Sequence, residues 1–488
     1  MPAKPLSIIS VSAELAPFSK QGGLGEVARA LPKALNDLSH HVVAITPLHR
    51  VAKEHAQDLE AIGTAEVRLG AGARKEALFF RSHLNGIPVY FIDHPPFFSE
   101  YTRIYTSDFE NERFYFFNLA VLALLKHLKI TPDIIQCHDW HTGLIPYLLH
   151  QSKITFQKTA SVFTIHNLVF QMGTDWWTFP AHERDDGQRT PEQLYEKGDI
   201  ASMNFALRGI RDADIVSTVS EHYAEEILTK QFGENLEREL RKRKKDLFGI
   251  VNGVDYYVYN PTIDPGLKVQ YGADSLEQKA GNKRELQRLF GIAERKDVAV
   301  IGMVSRITEQ KGFDLVLSIL EALMRLKVQL VIMGSGDPTY EQVFKKACVT
   351  YLDKFGFLSF RQKYETLVYA GSDFFLMPSR FEPCGLGQLI SLRYGSIPVV
   401  HAVGGLSETI TDFNPRTGRG NGFVFSTYDP RMMLAAVVRA LEAWMRNGPE
   451  WDTLLRNSMQ EVYSWKIPAR RYASLFRHAI RQHRKESS

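Results

Sequence analysis

The sequence predicts an α/β protein built from two doubly wound parallel-sheet (Rossmann-like) domains, on three observations. Short, β-rich apolar runs alternate with amphipathic helical patterns from one end of the chain to the other. The runs fall into two series, parted by a breaker-rich stretch, 256–282, that holds Asn260-Pro261, Asp264-Pro265 and Tyr271-Gly272. At 488 residues the chain also exceeds what one core accommodates, with about 150 residues to a domain.

The first series of expected strands is Leu6–Ser12, His41–Thr46, Ile87–Ile92, Asp133–His138, Ala160–Ile165 and Asp214–Val219. The second is Val298–Val304, Gln329–Met333, Asp373–Met377 and Ile397–Val400. These runs are continuously apolar rather than alternating, which implies parallel sheets covered on both faces. Helical spacing appears in Leu24, Val27, Ala28, Leu31 and Leu35, and again in Leu315, Val316, Ile319, Leu320 and Leu323. The expected division is an N-terminal domain over 1–255, a linker over 256–282, a second domain over 283–455 and a tail over 456–488. The tail is helical in pattern, rich in Arg, and carries Trp465, Tyr472 and Phe476 to bury. No sequence repeat relates the halves, and no low-complexity segment occurs.

Composition narrows the function classes. A hydrophobic share of 44% with 23% charged residues is that of a globular protein. The net charge of +4 is spread along the chain except at Arg241-Lys242-Arg243-Lys244-Lys245, and no nucleic-acid module accompanies it. That cluster reads as a solvated helix end or loop, with anion or partner binding as the alternative. Cys137, Cys348 and Cys384 lie far apart without metal-ligand spacing, so neither a disulfide framework nor a metal site is expected. The N-terminus lacks a long apolar stretch and meets Glu14 early, and no run of ~18 apolar residues occurs, so a cytoplasmic protein without a membrane segment is expected.

Ligands of open parallel sheets bind at strand carboxyl ends, and the chemistry-bearing residues concentrate there. After the first strand comes Ser19-Lys20-Gln21-Gly22-Gly23-Leu24-Gly25-Glu26, glycines that bring backbone N–H groups to an anion at a helix N-terminus, with Lys20 beside them. A glycine turn that merely packs helix on strand has the same spelling. In the second domain, Ser305-Arg306-Ile307-Thr308-Glu309-Gln310-Lys311-Gly312 follows a strand and sets Arg306 and Lys311 within reach of one diphosphate; an exposed surface pair is the alternative. Two fixed cations stabilise the negative charge that develops when a nucleoside diphosphate leaves a sugar. The third loop, Pro378 to Gly387, presents Glu382 between Phe381 and Pro383, a carboxylate suited to holding sugar hydroxyls. Asp139 ends one strand, and His166 with Asn167 ends another.

With these residues in view, the sequence resembles the starch synthase and bacterial glycogen synthase family. Five stretches carry the likeness: KQGGLGEV from Lys20, PDIIQCHDWHTGLIP from Pro132, GIVNGVDYYVYNP from Gly249, IGMVSRITEQKG from Ile301 and DFFLMPSRFEPCGLGQL from Asp373. The resemblance spans nearly the whole chain. It implies the GT-B architecture, two facing doubly wound domains around a cleft, with an N-terminal acceptor domain, a C-terminal nucleotide-sugar domain and a last helix that crosses back to the first. It implies transfer of glucose from a nucleotide-glucose, ADP-glucose or else UDP-glucose, to the non-reducing end of an α-1,4-glucan with retention of configuration, without cofactor or metal.

Carried onto matching positions, the resemblance gives Arg306 and Lys311 the donor diphosphate and Glu382 the sugar hydroxyls, helped by backbone N–H groups of Cys384, Gly385 and Leu386. Lys20, Gly22 and Gly23 lie near the phosphates, and Phe360 stacks on the base. His166 holds the glucose 6-hydroxyl, while Glu26, Asp139, Asn167 and Asn252 complete the sugar and acceptor pocket. The chain departs from the family pattern at Gln21, at Glu26 in place of aspartate, at Thr366-Leu367 in place of His-Arg, and at His401-Ala402-Val403 in place of Arg-Arg-Thr. Another retaining GT-B transferase and an inactive glucan-binding protein are the rival readings.

Overall fold

The computed structural model describes residues 4–486 apart from 57, 71, 153 and 175–177. It divides into two compact units, Met1–Gly253 with Trp465–Ser488, and Val254–Ser464.

Among the described residues the first unit is built on nine strands: β1 (Ser7–Val11), β2 (His41–Pro47), β3 (Glu60–Gly70), β4 (Ala73–Leu84), β5 (Ile87–Asp93), β6 (Ile134–His138), β7 (Ala160–Ile165), β8 (Ile215–Thr218) and β9 (Leu247–Gly249). Their order is β3-β4-β5-β2-β1-β6-β7-β8-β9. From β5 to β9 all neighbours are parallel, with Val11 of β1 opposite both Ile45 of β2 and Cys137 of β6. The six expected first-series strands are all present. The antiparallel β3–β4 hairpin was not anticipated. Its strands alternate buried with exposed, charged positions, Arg68, Arg74 and Glu76 among them, so they lack the continuous apolar signal of the central strands.

One face of this sheet packs against a core that includes Phe114, Phe117, Leu148 and Phe205. The other is covered by the helix Gly23–Asn36, whose predicted stripe of Leu24, Val27, Ala28, Leu31 and Leu35 is buried, and by the C-terminal helix Lys466–Glu486. Trp465, Tyr472 and Phe476 pack there with Leu6, Ile8, Leu31 and Ile134. His483 fastens the end of that helix, its Nδ1 lying 2.7 Å from Asp214 Oδ1.

The second unit holds six parallel strands: β10 (Ala299–Val304), β11 (Val328–Met333), β12 (Phe355–Leu358), β13 (Phe374–Met377), β14 (Ile397–His401) and β15 (Phe423–Phe425), in the order β12-β11-β10-β13-β14-β15. Separate apolar clusters cover its two faces, one around Leu323, Phe344 and Trp451, the other around Leu286, Tyr369 and Tyr394. Residues 256–282, read as a linker, pack into this unit. Tyr259, Leu267 and Tyr271 are buried in its core, and the Tyr271 hydroxyl donates to the Tyr394 carbonyl at 2.7 Å. The tail is two helices rather than one. Pro449–Gln460 stays with the second unit through Trp451 and Leu454, and only the segment from Trp465 onward belongs to the first.

The basic run 241–245 is mostly consumed by the fold. The Arg243 guanidinium donates to the carbonyls of Ile210, Arg211, Ala213 and Asp214 at 2.7–3.0 Å, closing the last turn of the helix Phe205–Asp212. Arg241 donates to the Leu228 carbonyl, Lys242 pairs with Glu239 and Lys244 with Glu225. Among the described residues no helix is long and apolar enough to cross a membrane.

Candidate active site

Each sheet reverses its winding once, and both reversals carry predicted residues. In the first unit β1 lies between β2 and β6, so the loops leaving β1 and β6 are neighbours. The β1 loop places Glu14 beneath the glycine turn, where its Oε2 accepts the backbone N–H groups of Gln21 (2.7 Å) and Gly22 (3.2 Å). The Tyr105 hydroxyl donates to the other oxygen, Oε1, at 2.7 Å. The anion site expected at Gly22 is thus filled here by a carboxylate of the chain itself. Gly23 opens the helix on the exposed side. Lys20 pairs with Glu26 at 2.8 Å, and Arg29 pairs with the same carboxylate. Glu26, one methylene longer than aspartate, thus holds both cations.

Asp139, just past β6, has φ 57° and ψ 178°, a conformation that side chains rarely adopt. The surroundings hold it there. Asp139 Oδ1 accepts the backbone N–H of His166 at 2.7 Å and of Asn167 at 3.4 Å. The carboxyl is buried, and that burial pushes its pKa up to about 7; the two N–H donors oppose the shift, and the Glu14 charge adds to it. His166 Nε2 lies 2.9 Å from His138 Nδ1, whose Nε2 in turn lies 3.1 Å from Ser10 Oγ. Burial drives the His166 pKa down to about 3 and that of His138 well below its ordinary value, so both rings are neutral. Asp139, His166 and Asn167 therefore form one bonded group. Asn252 is buried, and its Oδ1 has no hydrogen-bond partner among the described residues, so no bond joins it to the others.

In the second unit the reversal falls at β10, between β11 and β13. The loop after β10 carries Arg306 and Lys311, and the loop after β13 carries Glu382. Lys311 Nζ meets Glu382 Oε2 at 2.6 Å. Gly312 is what lets the loops touch: its φ is +74°, and a Cβ there would stand 2.0 Å from the Pro378 carbonyl oxygen. Backbone bonds complete the join, with Arg380 N–H to Gln310 O at 2.9 Å and Gln310 Nε2 to Phe381 O at 3.2 Å. Cys384 is buried, and Gly385, at φ +72°, leads through Leu386 into the helix Gly387–Arg393. Gln388 Nε2 fastens that turn by donating to the Cys384 and Gly385 carbonyls, both at 2.9 Å. Phe360 stands 43% exposed after β12, open to stacking, with its N–H donated to Ser335 Oγ at 3.1 Å.

Among the partners not foreseen, Glu14 accepts the Gly22 N–H, His138 meets His166, the Ser379 Oγ donates to Glu382 Oε2 at 3.0 Å, and Tyr105 in turn holds Glu14. In the sequence Glu14 reads only as an early charge against a secretory leader. Its position, three residues beyond β1, is the strand-end signal that would have found it. His138 ends an expected strand and carried the same signal. Tyr105 lies outside every strand end and had none.

Comparison with known proteins fits this arrangement. Residues 7–242 match the family described as starch synthase catalytic domain, and residues 287–452 match glycosyl transferases group 1. The chain is 43% identical over 497 aligned residues to a glycogen synthase of Moorella thermoacetica, covering 99% of this chain and 98% of that protein. The chain belongs to the glycogen synthase family. Membership carries the activity expected from the motifs, glucosyl transfer to an α-glucan, and the two doubly wound sheets are those of the GT-B fold. A glycogen synthase of Thermotoga petrophila is 38% identical, over 97% of this chain and 99% of its own. Among solved structures, the catalytic domain of starch synthase IV from Arabidopsis thaliana, bound to ADP and acarbose, has a TM-score of 0.87 at 30% identity, covering 98% of this chain and all of its own. Sucrose-phosphate synthase of Thermosynechococcus elongatus, with a TM-score of 0.62 at 18% identity, shares the fold.

Proposed function

We propose that the chain transfers glucose from ADP-glucose to the non-reducing end of an α-1,4-glucan with retention of configuration, elongating glycogen in the cytoplasm. The observation that carries this reading is the 2.6 Å contact between Lys311 and Glu382. It sets a cation fit for a diphosphate beside a carboxylate fit for sugar hydroxyls, at the carboxyl ends of adjacent strands. The ADP bound to the starch synthase IV domain supports adenine as the base of the donor.

In this reading Arg306 and Lys311 bind the diphosphate and neutralise the charge that grows as its bond to the glucose C1 breaks. The acceptor hydroxyl approaches C1 from the face the diphosphate is leaving, and a phosphate oxygen takes its proton. No second carboxylate is needed for a covalent intermediate. Glu382 grips donor hydroxyls, and the backbone of Cys384 to Leu386 lies alongside. Phe360 supports the base. Lys20 and Gly23 attend the phosphates, Gly22 lends close backbone approach while its N–H stays with Glu14, and Glu26 holds Lys20. His166, half-buried and kept neutral by desolvation, serves the 6-hydroxyl as a hydrogen-bonding group rather than as a cation. Asp139, Asn167 and Asn252 line the sugar and acceptor pocket. The two cations neutralise the leaving group, so divalent metal is not required.

Initial rates of nucleoside diphosphate release with ADP-glucose and UDP-glucose, on a glycogen primer with EDTA present, test this. At least a tenfold preference for ADP-glucose, undiminished by the chelator, is expected. Preference for UDP-glucose overturns the base assignment, and loss of rate in EDTA overturns the metal-free mechanism.

A further inference from the structure

Glu382 is tied down on one side only. Its Oε2 accepts both Lys311 Nζ at 2.6 Å and Ser379 Oγ at 3.0 Å, whereas Oε1 makes no hydrogen bond among the described residues. A carboxylate's terminal torsion is broad, so the ammonium alone leaves the plane of the carboxylate free to rotate. The hydroxyl of Ser379, which is 1% exposed, removes that freedom. With Oε2 held from two directions, Oε1 is the oxygen left without a partner among the described residues, and the carboxylate plane is set.

Ser379 is itself held by a residue from another strand. His401, at the end of β14, lies with Nδ1 2.8 Å from the Ser379 carbonyl oxygen, and that contact makes Nδ1–H the donor. The ring is buried, stacked on Phe425 at 5.2 Å and set edge-on to Tyr428 at 5.4 Å. The Tyr428 hydroxyl donates to Asp314 Oδ1 at 2.6 Å, and Arg380 lies over its face at 4.7 Å. Beyond Ser379, the Gly405 N–H donates to the Glu382 carbonyl oxygen at 3.0 Å. The backbone on both sides of the carboxylate is thus pinned from the β14 side of the sheet.

We propose that Ser379 and His401 are positioning residues for glucosyl transfer: Ser379 fixes the rotation of the Glu382 carboxylate so that Oε1 meets the donor sugar, and His401 fixes Ser379. The proposal rests on the reading of Glu382 as the donor-sugar carboxylate. It also gives the departure at residue 401 a purpose, because a flat imidazole fits between Phe425 and Tyr428 while donating to a carbonyl.

The test is steady-state nucleoside diphosphate release by the full chain with ADP-glucose and glycogen, for Ser379→Ala, Ser379→Cys, His401→Leu, His401→Asn, Glu382→Gln and the Ser379→Ala/Glu382→Gln pair. Misdirected orientation acts in the transition state more than in binding, so Ser379→Ala should lower kcat about tenfold and change the donor KM less than about threefold. His401→Leu should follow it, and His401→Asn, which keeps an N–H near the Nδ1 position, should recover most of the loss. In the Glu382→Gln background, Ser379→Ala should cost less than about twofold, since there is no carboxylate left to orient. An unchanged kcat in Ser379→Ala, or an equal loss with and without the Glu382 carboxylate, overturns the positioning role. Should Ser379→Ala fail to fold, the same comparison with the near-isosteric Ser379→Cys decides the matter. A fully active Glu382→Gln enzyme refutes the donor-sugar reading itself, which is a different outcome from a null effect at Ser379.

Discussion

Replacing Asp139 by Asn should make the enzyme more stable and far less active, by amounts that depend on pH. Burial raises the carboxyl from its ordinary 3.8 to about 7. Each unit is worth about 1.4 kcal/mol, so keeping the group ionised in the folded state costs up to about 4 kcal/mol above pH 7. The sign follows from proton counts: between pH 3.8 and 7 the folded chain binds the proton and the unfolded chain does not, so stability falls as pH rises through that window. Asparagine keeps an oxygen for the His166 and Asn167 N–H groups but adds an amide that itself needs a partner, which reduces the net gain to about 1–3 kcal/mol. For a unit of this size each kcal/mol corresponds to roughly 2–4 °C in Tm. Thermal scans of both proteins at pH 8 and pH 5 measure the effect. The variant should melt higher at pH 8, lose most of the advantage by pH 5, and transfer glucose on the order of 100-fold more slowly. A variant that melts no higher at pH 8, or whose advantage is the same at both pH values, would refute desolvation as the dominant force on Asp139.

Lys311→Ala should lower kcat/KM roughly 100- to 1000-fold in the same release assay, because it removes the cation proposed for the leaving group and leaves Glu382 buried with only Ser379 as partner. Phe360→Ala should raise the donor KM about fivefold, in line with ~1 kcal/mol of lost stacking, while kcat stays within about twofold. His483→Ala should loosen the C-terminal helix, since it removes contacts to Asp214 Oδ1 at 2.7 Å and to the Gln157 carbonyl at 3.0 Å; a loss of about 1–3 kcal/mol would appear as earlier proteolysis at that end. Burial by itself would raise the Asp214 carboxyl, but the hydrogen bond and charge of His483 and the Ser161 donors outweigh it and hold the group below its ordinary 3.8. That stabilisation is present above pH 4 and lost as pH falls through the folded value, so in acid the His483→Ala and parent proteins should converge.

The fold class and many of the candidate residues at strand ends were legible because both rest on local signals. A strand buried on both faces must be apolar throughout, as Ile8, Ile9 and Val11 are, and an α/β strand presents chemistry at its carboxyl end. Reading those ends finds Lys20, Asp139, His166, Arg306, Lys311 and Glu382 without coordinates. The alternating β3–β4 hairpin escaped because an edge strand needs no continuous apolar run. Residues 256–282 looked like a linker because prolines and glycines mark irregular backbone, whether or not Tyr259 and Tyr271 are buried beneath it.

Which strand ends become neighbours is a property of strand order, and order depends on non-local pairing. Lys311 and Glu382 stand 71 residues apart and meet because β10 pairs with β13. The same holds for Glu14 and the glycine turn, which needed the loop path, and for His401 and Ser379, which needed β14 beside β13. Protonation states lay further out of reach. Whether a buried Asp is neutral near pH 7, or a His stays neutral down to pH 3, depends on how much water the surrounding chain excludes, and that is settled only when the chain has folded around it.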